Sequence, residues 1–452
     1  MIAPARVAAL DALSEVETGR FDLASAVART RARLHDDRDR ALAADIAYGV
    51  QRRRAVIDHV IAIVAKRPLD RLDPAILNIL RLSVYQLLHL ARVPASAVVD
   101  DAVDLTRRAG KRSATGFVNA VLRTTSRTRG SLHLPPRPAP PTDRAAALDY
   151  LTVTLSHPRW LVERWLDRFG FEATEQWLTF DNEPAPLTLR ANLDRQSIPE
   201  LVERLAAEGV RVTPGRFAPA ALVVSEGHPL RGRALEEGRF VVQDEASQLV
   251  GLLASGYRSR LALDACASPG GKATAIAAAM NGRGMLVAAD VRDRRVDLLR
   301  RTVRAAGAEN IRVVQADVLA GLPFRDVFQL VLVDAPCSGL GTLRRDPDIK
   351  WKRQEHDLTS LAAAQLVMLQ HAADVVSPGG HLVYATCSSE PEENEAVADA
   401  FVKTTDRFRA LDLRVEATAL PASVIDGRGH LRTSPPQHGL EAFFAAVFVR
   451  AL

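Results

Sequence analysis

The feature that most constrains this chain is an alternation of short apolar runs with helical stretches between residues 261 and 386. The runs of strand character cover residues 261–266, 285–290, 311–315, 330–334 and 381–386. Helical stretches open near Lys272 and near Arg294, between the first three runs. This alternation predicts a doubly wound α/β sheet whose strands are mostly parallel. Ligands of such a sheet bind beyond the carboxyl ends of its strands.

A region of helical periodicity precedes the predicted sheet. Asp73 and Pro74 offer an N-cap followed by proline at the first helical position, and apolar residues then recur at helical spacing. Five prolines fall within residues 135–141, which predicts a stiff extended linker and a domain boundary. We therefore expect an all-α domain at 1–130, a Pro-rich linker at 131–145, a small α+β domain at 146–235 and an α/β domain at 236–452.

Positive charge is concentrated in the N-terminal part. Residues 1–145 contain 24 Lys and Arg against 15 Asp and Glu, whereas the whole chain carries a net charge of only +5. The stretch 105–137 holds eight basic residues and no acidic one, namely Arg107, Arg108, Lys111, Arg112, Arg123, Arg127, Arg129 and Arg137. An uncompensated cluster favours a polyanion, through phosphate contacts and counterion release. A solvated helix face explains the charges equally well.

The composition argues against a secreted protein and against a membrane protein. Three cysteines in 452 residues are too few for a disulfide framework, which indicates a reducing compartment. No stretch approaches the roughly 18 continuous apolar residues of a membrane span. The first residues also lack the apolar run of a signal peptide. We therefore expect a cytoplasmic protein that has no membrane partner.

A loop containing two glycines follows the first predicted strand. It reads Asp264-Ala265-Cys266-Ala267-Ser268-Pro269-Gly270-Gly271-Lys272 and fits neither the dinucleotide fingerprint nor the phosphate loop. Asp290 and Asp317 stand at the ends of the next two strands, where an acidic residue commonly accepts hydrogen bonds from ribose hydroxyls. One such aspartate alone is more often a turn or cap residue. Three at successive strand ends favour a nucleoside ligand that has an exposed amine.

Two cysteines follow the fourth and fifth predicted strands. They stand in Asp334-Ala335-Pro336-Cys337-Ser338-Gly339 and in Thr386-Cys387-Ser388, on the sheet edge that carries the glycine loop. A free cysteine is usually a small buried hydrophobe. Cysteines at the ends of adjacent parallel strands, one of them beside an aspartate, point instead to a nucleophile. Spacing alone does not say which cysteine would attack.

Taken together, these motifs resemble the bacterial small-subunit ribosomal RNA cytosine-5 methyltransferases of the Sun/Fmu (RsmB) family. Segments 264–272, 334–339 and 385–388 look like motifs I, IV and VI of that group, and segments 243–248 and 345–351 fit as well. Segments 45–50 and 117–123 resemble the NusB-like RNA-binding domain of the family. The resemblance covers essentially the whole chain. It departs from the family at Ala273, where threonine is usual, and at Glu441-Ala442, where Asp-Gly is common.

The resemblance implies a Rossmann-like class I methyltransferase domain that binds S-adenosylmethionine. Asp290 would hold the ribose, Asp317 would lie near the adenine, and Asp264 and Lys272 would border the methionine end. The full set of implied cofactor residues is Asp264, Cys266, Ala267, Ser268, Pro269, Gly270, Gly271, Lys272, Asp290, Arg295, Asp317 and Asp334.

The resemblance also implies covalent chemistry on a cytosine of small-subunit (16S) ribosomal RNA. Cys387 would attack carbon 6 of the ring, and Asp334 would bind the cytosine edge near N3 and stabilise the developing charge. Cys337 would assist loss of the carbon 5 proton and release of the enzyme. DNA cytosine-5 enzymes use a Pro-Cys in motif IV, which would favour Cys337 as the nucleophile. The protein is expected to be monomeric and to need no metal.

Three other classes compete on the residues alone. An RNA-binding or antitermination factor would leave the glycine loop and the paired cysteines unexplained. A nicotinamide oxidoreductase would need the G-x-G-x-x-G pattern, which the loop lacks. An amine-directed methyltransferase typically places Asn or Asp, two prolines and an aromatic residue after the fourth strand, where this chain has Asp334-Ala335-Pro336-Cys337.

Overall fold

The structure is a computed structural model that describes residues 2–139 and 143–452. Pro140 and Pro141, the last prolines of the predicted linker, lie outside the described residues. The chain forms two compact units. The first unit comprises Met1–Pro184 and Leu343–Glu355, and the second comprises Ala185–Thr342 and His356–Leu452. No helix among the described residues is both long and apolar enough to cross a membrane.

The first unit is helical, as the periodicity of its sequence predicts. Its helices up to residue 184 are α1 (Pro4–Glu17), α2 (Leu23–Arg31), α3 (Asp37–Arg52), α4 (Arg54–Ala65), α5 (Pro74–His89), α6 (Ala95–Arg108), α7 (Thr115–Thr128), α8 (Arg144–Asp149) and α9 (Arg159–Asp181). Asp73 caps α5 by accepting the Ala75 N–H at 2.9 Å, and Pro74 takes the first helical position. Buried residues such as Ile79 and Leu82 point from several sides of α5, so this helix is the centre of the unit.

The excess of positive charge in the basic stretch at 105–137 is smaller in the folded structure than the sequence of that stretch indicates. All eight basic side chains are exposed. Three of them form ion pairs, which are Arg107–Asp104 at 2.6 Å, Lys111–Asp73 at 2.6 Å and Arg137–Glu175 at 2.8 Å. The expectation of an uncompensated cluster is wrong for these three residues. Helical spacing and helix packing bring carboxylates from outside the stretch beside them.

The second unit begins with the expected small α+β layer, whose strands lie within 188–242, whereas residues 146–184 of the predicted α+β domain fall in the first unit. The elements of this layer are β1 (Thr188–Ala191), α10 (Ile198–Ala207), β2 (Arg211–Pro214), β3 (Ala221–Glu226), α11 (Arg233–Glu236) and β4 (Phe240–Val242). The four strands form an antiparallel sheet in the order β2-β3-β1-β4. Helix α10 begins at a capping box between Ser197 and Glu200, and it packs the buried Leu201 and Leu205 into the core of this layer.

The remaining elements, apart from α15 (Ile349–Lys352), build a large sheet flanked by helices. In chain order they are α12 (Glu245–Ser255), β5 (Leu261–Asp264), α13 (Gly271–Ala279), β6 (Met285–Asp290), α14 (Asp293–Ala306), β7 (Ile311–Gln315), β8 (Phe328–Asp334), α15 (Ile349–Lys352), α16 (Asp357–Ala373), β9 (Val376–Thr386), α17 (Glu395–Thr404), β10 (Phe408–Ala410), β11 (Leu431–Arg432), α18 (Pro435–His438) and β12 (Phe444–Arg450). The strand order is β10-β12-β9-β8-β5-β6-β7, with β11 paired to β12.

All five predicted runs become neighbouring parallel strands of this sheet. Strand β12 corresponds to none of the predicted runs, and it pairs antiparallel with β9 and β10. Strand β5 lies between β6 and β8, so the strand order reverses at its carboxyl end. The loops that follow β5 and β8 diverge at such a point and leave a crevice for a ligand.

The segment Leu343–Glu355, which contains α15, belongs to the first unit. Lys350 in this segment is only 1% exposed. Its ammonium donates to the Arg52 carbonyl at 3.1 Å and to Asn182 Oδ1 at 3.3 Å. Burial raises the pKa of nearby Asp181 to about 8, and the charge of Lys350 opposes that rise. Burial lowers the pKa of Lys350 itself to about 7. Its buried amine therefore ties this segment to the ends of α3 and α9 through hydrogen bonds.

Gly49 offers a test of packing in the first unit. A Cβ at this position of α3 would lie 2.0 Å from Cζ of Tyr85, whose hydroxyl donates to Asp45 Oδ1 at 2.9 Å and so holds the ring in place. Gly49→Ala should destabilise the unit by about 1–3 kcal/mol through overpacking. Alanine's helix propensity alone would stabilise it by about 1 kcal/mol. Urea unfolding followed by circular dichroism measures the difference.

Gly116→Ala is the matched control. Gly116 lies in α7, and a Cβ there would meet no atom within 4 Å. This variant should be neutral or stabilising. Equal unfolding midpoints for the two variants would contradict the packing explanation.

Candidate active site

The glycine loop after β5 adopts a conformation that requires its glycines. Gly270 has a φ of 113°, in the left-handed region, and α13 begins directly after it at Gly271. A Cβ on Gly270 would come within 3.0 Å of Leu299, and one on Gly271 within 3.0 Å of Gln243. Pro269 before them is exposed. The loop therefore presents backbone at the start of α13, where peptide N–H groups lack helical partners.

Asp264, at the end of β5, is a buried carboxylate with an incomplete set of hydrogen-bond donors among the described residues. It is 1% exposed, and neither carboxylate oxygen accepts a hydrogen bond of normal geometry from a described residue. Burial, followed by the nearby charge of Asp334, raises the pKa of Asp264 to about 7, while Lys272 lowers it. Buried polar atoms normally have partners. A cationic or donor group of a ligand would supply the partner that Asp264 lacks, so the site fits a cofactor that carries an amine.

The loop is anchored to β6 and α14 on its other side. The Ala267 N–H donates to the Ala289 carbonyl at 2.8 Å. Asp290, at the end of β6 and 4% exposed, accepts the Ser268 N–H at 3.3 Å. Arg295 of α14 pairs with Asp290 at 3.3 Å and donates to the Ser268 carbonyl at 3.0 Å. These contacts bring the predicted residues of the loop, of β6 and of α14 together.

Asp317 and Cys266 differ from the other predicted cofactor residues. Asp317 is exposed, and its carboxylate accepts the Leu319 N–H at 2.9 Å, so it caps a short 3-10 turn after β7. Cys266 lies in the glycine loop. Burial, together with the nearby carboxylates, raises the pKa of its thiol. This cysteine is therefore a neutral thiol and not a ready nucleophile.

Lys272 and Asp334 form an ion pair across the crevice between α13 and β8. Lys272 Nζ lies 2.6 Å from Asp334 Oδ2, and the Lys272 side chain is 11% exposed. Burial opposes the charge of Lys272, but Asp334 outweighs this effect and holds the lysine pKa above its usual value. The ammonium also lies 5.5 Å from the centre of the Phe443 ring. The lysine end of the pair is largely buried, whereas the Asp334 side chain is 27% exposed.

The thiols of Cys337 and Cys387 face each other at the same sheet edge. Strands β8 and β9 are parallel neighbours with Asp334 opposite Ala385, and the loops that follow bring the two sulfur atoms to 3.2 Å. The hydrogen bond with Cys337, together with burial, raises the pKa of Cys387 well above that of a free thiol, while Lys272 lowers it. Cys387 is therefore protonated in the free protein.

Sequence reasoning did not single out Arg190, which contacts the glycine loop from the small sheet. Its guanidinium donates to Gln243 Oε1 at 2.7 Å, to Thr274 Oγ1 at 2.7 Å and to the Gly271 carbonyl at 3.2 Å. Burial lowers its pKa to about 10. An arginine within a short apolar strand is the signal that could have identified it. In the described ranges, no group of three or more His, Cys, Asp and Glu side chains is arranged to hold a metal.

Comparisons with known proteins agree with this geometry. Residues 253–449 match the family described as 16S rRNA methyltransferase RsmB/F, residues 3–127 match the NusB family, and residues 157–231 match the ferredoxin-like domain of RsmF/B-like methyltransferases. The probable ribosomal RNA small subunit methyltransferase B of Bacillus subtilis is 33% identical over 90% of both chains. Ribosomal RNA small subunit methyltransferase B of Pseudomonas putida is 34% identical over 91% of this chain and 92% of its own.

A solved structure supports the fold along the whole chain. The crystal structure of PH0851 is 23% identical to this protein, covers 99% of both chains and superposes with a TM-score of 0.81. The sheet topology, the glycine loop and the carboxylates at the strand ends define an S-adenosylmethionine-dependent methyltransferase. More particularly, the chain belongs to the 16S rRNA methyltransferase RsmB/F family, so the resemblance found in the sequence is confirmed. Its reaction is methylation of ribosomal RNA.

Proposed function

We propose that the chain methylates carbon 5 of a cytosine in 16S ribosomal RNA through a covalent adduct with Cys387. The observation that carries this proposal is the 3.2 Å separation of the Cys337 and Cys387 sulfur atoms, at the ends of adjacent strands and beside Asp334. An oxygen or nitrogen acceptor needs no thiol for methylation. An aromatic ring carbon is a poor nucleophile until a nucleophile adds to the ring.

A residue of the site can be assigned to each step of the proposed reaction. Cys387 Sγ, after giving its proton to solvent, forms a bond to carbon 6, and the electrons of the 5,6 double bond become available at carbon 5. Asp334, oriented by Lys272, binds the ring near N3. S-adenosylmethionine, when bound, supplies an electrophilic methyl group. Once carbon 5 carries the methyl group, Cys337, as its thiolate, takes the carbon 5 proton. The bond from carbon 6 to sulfur then breaks, Cys387 leaves as a thiolate, and the double bond re-forms.

One nearby charge, the ammonium of Lys272, supports Cys387 as the attacking group, whereas the carboxylate of Asp334 opposes it. Its pKa is raised in the free protein by the hydrogen bond to Cys337 and by burial, so attack requires loss of the Sγ proton. The ammonium of Lys272 favours that loss, because a nearby cation stabilises a thiolate.

The two cysteines can be separated by their products. Cys387→Ala should abolish both methyl transfer and any covalent complex, because no thiolate reaches carbon 6. Cys337→Ala should still attack and methylate but fail to release the RNA, so a protein–RNA complex should survive denaturing gel electrophoresis. The double variant is the control and should give no complex. A complex formed by Cys387→Ala and lost in Cys337→Ala would invert the assignment.

We further infer how the cofactor residues divide their work. Asp264 and Lys272 are assigned to the methionine end of S-adenosylmethionine, Asp290 to the ribose and Asp317 to the neighbourhood of the adenine. The glycine loop and Arg295 line the same crevice. Support comes from the buried carboxylate of Asp264, whose missing partner an ammonium would provide, and from the position of Asp290 at the adjoining strand end.

Asp264 should couple cofactor binding to pH. Its pKa of about 7 in the free protein means that it is largely protonated below neutral pH. An ammonium beside it favours the charged form, so binding should release a proton below pH 7. The affinity for S-adenosylmethionine should then rise from pH 6 to pH 8 by about tenfold and level off above. Calorimetry in buffers of different ionisation enthalpy measures both effects. Asp264→Asn should bind with a flat pH profile, and an unchanged profile would remove Asp264 from the site.

We assign RNA affinity to the helical domain at 1–130 and to the middle domain at 146–235, joined by the linker at 131–145. The methyltransferase domain would then be 236–452, in a protein that acts as a monomer. Support comes from the NusB match and from the exposed basic residues that helix packing leaves unpaired. Arg123 and Arg127 of α7 are two of these, and no carboxylate among the described residues pairs with them.

Replacing Arg123 and Arg127 by glutamine should weaken RNA binding and lower its salt dependence. Each lost phosphate contact reduces the slope by about 0.7 for single strands and about 0.9 for duplexes. Arg137→Gln is the control, because Glu175 already holds that guanidinium through two oxygens. Filter binding to 16S ribosomal RNA across a salt series gives both slopes. Equal slopes for the double variant and for Arg137→Gln would show that α7 does not contact phosphate.

A further inference from the structure

A buried carboxylate lies behind the two thiols and has no part in the reaction described above. Glu393 is fully buried, and its two oxygens accept three hydrogen bonds. Oε1 accepts the Ser338 N–H at 2.8 Å and Gln365 Nε2 at 2.9 Å. Oε2 accepts the Ser388 hydroxyl at 2.6 Å. Such charge-assisted bonds are about twice as strong as neutral ones.

Two of the three bonding partners of Glu393 are the residues that directly follow the two cysteines. Ser338 follows Cys337 in the loop after β8, and Ser388 follows Cys387 in the loop after β9. Their hydroxyls are also 3.1 Å apart. One carboxylate therefore bridges two loops that are separated by about fifty positions in the chain and that each carry one thiol.

Glu393 is itself held firmly in place. The Tyr384 hydroxyl donates to the backbone carbonyl of Glu393 at 2.5 Å. Gln365 Nε2, which donates to the Glu393 carboxylate, also donates to the Pro336 carbonyl at 3.0 Å. The next residue, Asn394, accepts the Thr386 hydroxyl at 2.5 Å and donates to the Ser388 carbonyl at 2.9 Å. The two residues that flank Cys387 are thus fixed by one short segment after β9.

The contact between the thiols cannot hold this arrangement by itself. Sulfur is a weak donor and a weak acceptor, so a single bond between two thiols gives little geometric restraint. We propose that Glu393 is a positioning residue that holds the two cysteine loops together and thereby sets the separation of the Cys337 and Cys387 thiols. That this separation matters for catalysis rests on the function proposed above. That Glu393 sets the separation does not depend on the proposed function.

A trivalent arsenical measures the separation without any methyl transfer. Phenylarsine oxide exchanges its oxygen for two sulfur atoms, and the two thiol protons leave with that oxygen as water. Tight binding requires both thiols within reach of one arsenic atom, so Cys337→Ala and Cys387→Ala should each abolish it. Full-length Glu393→Ala should bind phenylarsine oxide about tenfold more weakly than the unsubstituted protein, because the loops lose a charge-assisted bridge.

Matched variants separate positioning from general damage to the fold. Glu393→Gln keeps the size of the side chain and one acceptor oxygen, so it should restore most of the arsenical affinity. Glu395→Ala, two positions away, removes only the ion pair of Glu395 with Arg432 at 2.7 Å and should bind phenylarsine oxide as the unsubstituted protein does. Single-turnover methyl transfer to 16S ribosomal RNA should slow about tenfold in Glu393→Ala while the KM for RNA stays unchanged.

Each outcome bears on one of the two proposals. If Glu393→Ala binds phenylarsine oxide as tightly as the unsubstituted protein does, the positioning role is overturned. Weaker arsenical binding combined with full methyl transfer in both Glu393→Ala and Cys387→Ala would support the positioning role and overturn the covalent mechanism. If Glu393→Ala does not fold, Ser388→Ala carries the same test, because it deletes only the hydroxyl that joins the Cys387 loop to the carboxylate. Unchanged arsenical binding in folded Ser388→Ala would overturn the proposal.

Discussion

The parallel pairing of β8 with β9, and of β8 with β5, places the chemistry of this protein at one sheet edge. Asp334 lies opposite Ala385, and Asp264 lies opposite Leu332, so the loops that leave these strands start almost level with each other. Parallel strands buried on both faces leave little freedom at their ends, because each is fixed by backbone hydrogen bonds on two sides. The positions of the carboxylates and thiols therefore follow from backbone register more than from side-chain flexibility.

Burial also raises the free-energy cost of the charged groups at this sheet edge. Asp264 is enclosed without a full set of donors, whereas Asp334 is neutralised by Lys272 at 2.6 Å. The fold tolerates an uncompensated carboxyl by raising its pKa, which keeps it neutral over part of the accessible pH range. Polarity that the protein leaves incomplete at this edge is available to a ligand.

Much of the large sheet could be predicted because its signals are local. Strands β6 and β7 begin and end where the apolar runs of the sequence predict, and the glycine loop stands between β5 and α13 as expected. Strand β12 was missed because it becomes a strand by pairing with β9, which lies far from it in the chain. Arg190 and Glu393 were missed for a related reason: their partners come from other elements, and a charged residue in sequence gives no sign that it is buried.

The sequence by itself determined the helical first part, the alternation that builds the parallel sheet and the placement of aspartates and cysteines after strands, since each depends on neighbours within a few residues. Only the tertiary structure decided that the thiols lie 3.2 Å apart, that one carboxylate bridges the loops carrying them, and that Lys111 and Arg137 have acidic partners. These distances join residues that are often remote in the chain. They depend on strand register and helix packing, which local patterns do not encode.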